Sequence, residues 1–269
     1  MNNITSIQPH FSIGDDLKST PASQCQLYLL YAPSSMSIMS YHTENNSIIH
    51  LRKYSIDENA VHQSLESIFS IDELLQFHYL NYRLSIFSPT TYLVSNYENQ
   101  ILENKFDKSA MPSLNASIYY QINSEMRSFF DKKPAYQLSS SSASLIETLI
   151  KKQQIQKTKI VYAHYFDRYL ELLAFDGSQL LLHNIFPIEQ EADFSYYILS
   201  TYELFGFSTS LVSTIILGTI TKPSKVYDML FTYVKDVQFM KKNAIINYTK
   251  AFDDIEDHII YPLTSIIKQ

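Results

Sequence analysis

Glycine is scarce in this chain: there are four in 269 residues, alongside a single cysteine and no tryptophan. Loops that cradle phosphate use glycine so that backbone N–H groups can approach the ligand closely, and four glycines leave few for that purpose. One cysteine, Cys25, allows no intramolecular disulfide. That fits a reducing, cytoplasmic location, with Cys25 itself opening an apolar run as a small buried hydrophobe. The eight histidines are scattered, with no His-x-x-x-His or Cys-x-x-Cys spacing, so no metal site is expected. No Gly-x-Ser-x-Gly nucleophile elbow occurs either, and no catalytic residue is assigned.

Basic charge is in short supply as well. A formal net charge of -6 argues against nucleic acid or an anionic membrane surface as a partner, since either would draw on clustered Lys and Arg, and the densest basic patch, Lys151-Lys152 with Lys157 and Lys159, reads as a solvated helix end. Residues Met1 to Ile13 have neither a basic start nor an apolar core of signal-peptide length, so no export is expected. The longest uncharged stretch, Leu204 to Thr221, is broken by Gly206 and by Ser208, Thr209, Ser210, Ser213, Thr214 and Thr219. It reads as a helix end, a loop and a buried strand, so no direct membrane insertion is expected.

What the chain does have is 45% hydrophobic residues against 18% charged, which is a globular balance. Its length suits two domains, each able to bury a core. The order of elements supports this, because one pattern occurs twice. After an irregular leader over residues 1–22, Gln24 to Ala32 is an apolar run and Pro33-Ser34-Ser35 turns the chain. Runs at Met36 to Tyr41 and Ile48 to Tyr54 complete a meander. Asp57 is placed to cap the following helix, whose Val61, Leu65 and Ile68 share a face, and a short apolar run to Phe87 follows.

Between Tyr92 and Gln154 the spacing predicts a helix over 98–106, strands at 117–122 and 135–138, a serine loop at 139–142 and a helix over 143–154. The pattern then restarts. Strands at 159–166 and 169–175 flank a tight Asp167-Arg168 turn, and Asp176-Gly177 is a strong hairpin signal before the strand at 179–186. Glu189, Glu191 and Asp193 place acid at a helix N-terminus, Gly206 stops that helix, and a strand at 211–217 and a helix over 222–237 follow. The tail from Lys250 to Tyr261 carries an apolar stripe, Phe252, Ile255 and Ile259, opposite an acidic face.

A meander feeding a helix and a further strand is a mixed α/β unit. The predicted division is a leader over 1–22, a first lobe over 23–155 and a second over 156–269, with any small-molecule site in a cleft between lobes. The segments Leu181 to Phe186, Asp193 to Tyr197, Leu217 to Ile220 and Tyr227 to Tyr233 resemble a bacterial, Bacteroidetes-type family of unknown function similar to degenerate actin-like ATPases. The resemblance spans about Gln24 to Phe239 and implies the two-lobed, ribonuclease-H-like actin fold.

Actin-like ATPases hold nucleotide with one hairpin loop per lobe and a glycine turn against the adenosine, and acids hold Mg²⁺ through water. Here the first hairpin, Ala32-Pro33-Ser34-Ser35-Met36, has no glycine and no acid, and Pro33 lacks an N–H. The second, Phe166-Asp167-Arg168-Tyr169, keeps one acid, and only Leu217-Gly218-Thr219 matches the adenosine turn in part. The resemblance therefore implies a retained fold with a lost ATPase and no cofactor, acting as an interaction or scaffold component with a protein partner. The alternative is ATP with Mg²⁺, met by Ser34, Ser35, Asp167, Gly218 and Thr219, in a weak or regulatory ATPase. The 21 tyrosines, including Tyr119-Tyr120, Tyr162, Tyr165, Tyr169, Tyr196-Tyr197, Tyr202, Tyr227 and Tyr233, are read as core residues with rim hydroxyls, an aromatic docking surface being the alternative.

Overall fold

The computed structural model describes residues 8–14, 20–96, 105–133 and 136–267. Its strands are β1 Phe11–Gly14, β2 Cys25–Ala32, β3 Ser35–His42, β4 Ser47–Ser55, β5 Asn81–Ile86, β6 Thr91–Ser95, β7 Asp107–Met111, β8 Ala116–Tyr120, β9 Gln137–Ser140, β10 Ile160–Phe166, β11 Tyr169–Asp176, β12 Gln179–Pro187, β13 Ser213–Gly218, β14 Val237–Phe239 and β15 Asn247–Tyr248. Its helices are α1 Val61–Ile71, α2 Ser124–Phe130, α3 Ser141–Gln156, α4 Glu191–Leu204, α5 Lys225–Tyr233 and α6 Asp257–Ser265. The chain forms two compact units, each drawn from three separate stretches.

Unit 1 comprises Met1–Ser88, Ile122–Ser141 and Ala244–Asp254. Its sheet runs β1-β4-β3-β2-β5-β9, with β15 also pairing β4. Strand β2 is antiparallel to β3 and parallel to β5, with Leu29 opposite Ile38 on one side and Leu84 on the other. Flanked on both sides, it reads as a near-continuous apolar run, as a strand covered on both faces must.

A buried carboxylate ties the end of α1 to the meander. Asp72 accepts from Arg52 Nη1 at 2.7 Å and Leu74 N–H at 2.8 Å through Oδ1, and from the Tyr54 hydroxyl at 2.6 Å through Oδ2. Asp72→Ala strands three donors around a buried site and is expected to lower stability by about 3 kcal/mol. Urea denaturation monitored by circular dichroism checks this, with Glu73→Ala on the neighbouring surface as the neutral comparison.

Unit 2 comprises Pro89–Gln121, Ser142–Asn243 and Ile255–Gln269. Its main sheet runs β12-β11-β10-β13-β14, so the strand order of β4-β3-β2-β5-β9 is repeated. A second sheet, β6-β8-β7, is built from antiparallel pairs. One face of the main sheet presents Val161, Ala163, Leu170, Leu172 and Ala174 to Phe194, Ile198 and Tyr202 of α4, to Leu230 of α5 and to Val234 just after it. By strand alternation, Tyr162, His164, Phe166, Glu171, Leu173 and Phe175 occupy the other face. A capping box starts α4, with Asp193 Oδ2 accepting from Gln190 N–H at 2.8 Å.

The expected order, three strands, a helix and a strand, is present in both units. Several local expectations are corrected. The leader contains β1, which pairs with β4 along Phe11 to Gly14. The N-cap of α1 is Ala60, while Asp57 accepts instead from Asn59 N–H in a local turn. Residues 139–142 are not a loop: parallel pairing of Ser139 and Ser140 with β5 carries the strand directly into α3. Helix α5 begins at Lys225 because Ser224 caps it, placing Pro223 outside the helix, and 237–239 is strand. In the tail the helix begins only at Asp257, so Phe252 and Ile255 precede it. The helix predicted over 98–106 falls largely on residues 97–104, outside the described residues.

Candidate functional site

Within unit 2, Asp167, Gly218 and Thr219 gather at one end of the main sheet. Strand β10 is central, antiparallel to β11 and parallel to β13, with Tyr165 opposite Leu170 on one side and Gly218 on the other. Asp167 and Arg168 form the β10–β11 turn with φ of 53° and 67°. Two consecutive left-handed residues match the right-handed twist of the flanking strands, which is why so short a connection closes here.

Gly218 has φ +89°, and a Cβ there would lie 2.0 Å from the Tyr165 carbonyl oxygen. The next residue completes the contact: Thr219 N–H donates to the same oxygen at 3.0 Å and its hydroxyl at 3.4 Å. The segment is braced from the far side by α6, where His258 Nε2 donates to the Ile220 carbonyl at 2.6 Å. Burial pulls the His258 imidazole below its ordinary pKa, opposed by that hydrogen bond and by Glu256 and Asp257.

Directly beneath this edge lies a polar cluster that sequence reasoning missed as a group. Glu171 of β11 is buried, and its carboxylate accepts from His164 Nδ1 of β10 at 2.8 Å and from His183 Nε2 of β12 at 2.9 Å. Burial pushes the Glu171 carboxyl up, but the two histidine hydrogen bonds and the imidazole charges outweigh it and hold the group below the usual carboxylate range. His164 also stacks on Phe166, with ring centroids 5.7 Å apart. The signal was a lone acid within the apolar run Tyr169 to Phe175, on a strand whose neighbours each carry a histidine.

Ser34 and Ser35 belong to unit 1, at the Pro33-Ser34 turn between β2 and β3. The Ser34 carbonyl accepts from Ile56 N–H at 2.9 Å. Ser35 is buried, and its hydroxyl has no hydrogen-bond partner among the described residues. So the structure brings Asp167, Gly218 and Thr219 together in unit 2, and Ser34 and Ser35 together in unit 1.

The tyrosines divide. Tyr119, Tyr120, Tyr162 and Tyr202 are fully buried, and the Tyr202 hydroxyl donates to the Val212 carbonyl. Tyr196 and Tyr233 are 66% and 57% exposed. Cys25 is buried as expected, its thiol pushed up to about 11 by desolvation. Among the described residues no group of three or more His, Cys, Asp or Glu is placed to hold a metal ion, and no helix is long and apolar enough to cross a membrane.

The two repeated units, each with a meander, a helical crossover and parallel strands, give the protein the actin-like ATPase fold. Solved structures share it. A Bacteroides thetaiotaomicron protein with an actin-like ATPase fold and unknown function is 20% identical, with a TM-score of 0.72 over 87% of this chain and 95% of that one. The PilM-PilN type IV pilus biogenesis complex matches at 9% identity and TM-score 0.61, over 91% of this chain and 97% of that one. The profile of a family described as a protein of unknown function, DUF3822, matches residues 15–237, and the chain belongs to that family. No curated protein matches it.

Proposed function

We propose that this chain is a non-catalytic, cytoplasmic actin-like protein that works as an interaction or scaffold component. The observation that carries this reading is the use made of the Gly218-Thr219 turn. In the ATPases that turn faces adenosine; here Gly218 is spent on the close approach to Tyr165, and the Thr219 N–H and hydroxyl both bond the Tyr165 carbonyl. On the other hairpin Pro33 offers no donor. Placing metal and phosphates is most of what phosphoryl transfer asks of a protein, so these losses count heavily against turnover.

Two further facts support an interaction role. The PilM-PilN complex, with the same fold, is by description a protein–protein assembly. Unit 2 also exposes large apolar side chains, Tyr196 and Leu204 on α4, Leu211, and Phe231 and Tyr233 on α5.

One observation favours the alternative, an ATP·Mg²⁺-binding protein with weak or regulatory ATPase activity. The buried Ser35 hydroxyl, without a hydrogen-bond partner among the described residues, sits on the hairpin that faces phosphate in the ATPases. A thermal-shift titration with and without Mg²⁺ decides between them. Non-catalytic scaffolding predicts an unchanged melting temperature in excess Mg-ATP and no turnover that is lost with Asp167→Ala. Nucleotide at about 100 times its Kd would add about 2.7 kcal/mol and raise the midpoint by several degrees.

A further inference from the structure

Unit 1 carries a groove of about 380 Å³ between α1 and α2, lined by His62, Glu66, Phe69, Phe129, Lys132 and Lys133. Its floor is aromatic: the Phe69 and Phe129 rings meet edge to face with centroids 4.9 Å apart, and His62 lies edge-on to Phe129 at 5.6 Å. The Lys133 ammonium stands 4.9 Å from the Phe69 centroid and 4.8 Å from that of Phe129. The ammonium is thus held by ring faces. Lys132 beside it is exposed.

Among the described residues, neither lysine has a carboxylate within ion-pair distance. The acids nearby are engaged elsewhere or point to water. Glu66 faces His62 Nδ1 at 3.7 Å, Glu125 Oε2 accepts from His62 N–H at 2.9 Å at the start of α1, and Asp131 is exposed at the end of α2. In a chain of net charge -6, two adjacent cations, Lys133 over aromatic rings and Lys132 exposed beside it, without a partner acid among the described residues are an exception to the surrounding field.

We infer that this groove is a docking site for a partner segment that presents a carboxylate beside an aromatic or aliphatic side chain. The acid would meet the Lys132 and Lys133 ammonium groups, and the apolar neighbour would lie on the half-buried Phe69, whose ring packs on the buried Phe129. Charge complementarity chooses this occupant. A purely apolar segment would leave the two ammonium groups desolvated without compensation, and a basic one would be repelled. The inference rests on reading the chain as an interaction component, and it places the contact in unit 1.

A random peptide library displayed on phage, selected on the intact protein, tests it. Enriched peptides are expected to share an acid next to an apolar residue. Their affinity should fall tenfold or more in a Lys132→Glu, Lys133→Glu double variant of unchanged melting temperature, and weaken with salt. If that variant does not fold, Lys132→Gln with Lys133→Gln gives the same comparison without charge reversal. Enrichment without an acidic consensus, no enrichment, or binding indifferent to both variants overturns the inference. Displacement by millimolar inorganic phosphate overturns it too, in favour of a free small anion. A Mg-ATP thermal shift with lysine-dependent peptide binding would instead remove only the non-nucleotide part of the functional proposal.

Discussion

Glu171→Ala is expected to destabilise the protein by about 3–5 kcal/mol, because it leaves His164 and His183 facing each other across a buried site without their shared acceptor. The cost is large because desolvation of all three side chains is already complete: Glu171 is 1% exposed and the two imidazoles 6% and 2%. The same cluster predicts a pH dependence with a definite sign. The folded carboxyl lies below its unfolded value despite burial, owing to the two histidine hydrogen bonds and charges. Its contribution is therefore present above the unfolded carboxylate value, about 4.3, and is lost as pH falls below it. Denaturant midpoints from neutral to pH 3 should show an acid limb in the wild type that is flattened in Glu171→Gln. An equally steep limb in that variant would remove the cluster from the explanation.

Gly218→Ala carries the second large effect. The substitution forces an L side chain to φ +89° and pushes its Cβ into a backbone oxygen that cannot swing away, since the Tyr165 carbonyl also accepts from Thr219. Left-handed strain alone is worth about 1–3 kcal/mol, and displacing β10 from β13 adds to it, so a loss of about 3 kcal/mol or more is expected. In a protein of this size that lowers the melting temperature by about 10 °C. The informative comparison is Gly177→Ala. Gly177 has φ +60° with nothing within 4 Å of the added methyl, so only the conformational cost of about 1 kcal/mol applies. If the two variants melt together, the close approach is not what Gly218 provides.

The meanders were legible because their signals are local: Asp176-Gly177, Asp167-Arg168 and Pro33-Ser34 are short turns between apolar runs, and the acid-rich start and Gly206 stop of α4 bracket it. What escaped notice depends on partners far away in the chain. Serine has weak strand propensity, yet Ser139 and Ser140 are strand because β5 offers them a parallel ladder. Strand β1 is four residues long and exists through β4, and β6 and β7 form through β8. In the candidate site, the type and place of Gly218 could be read, but not that its neighbour is a carbonyl 2.0 Å from an added Cβ. The His164, Glu171 and His183 cluster needed the register of three strands, since the residues are separated by 7 and 12 positions and meet only when the pairings are known.

The way the two units share the chain bears on the order in which the protein can be made. Unit 1 takes its last strand, β15, from residues 247–248, and that strand pairs with β4 near the beginning. During synthesis the first meander can close as soon as its hairpins emerge, but the edge of its sheet at Ser47 and Ile48 waits until Asn247 and Tyr248, some 200 residues on, have been made. Unit 2 likewise ends with α6. No single cut therefore releases either unit intact.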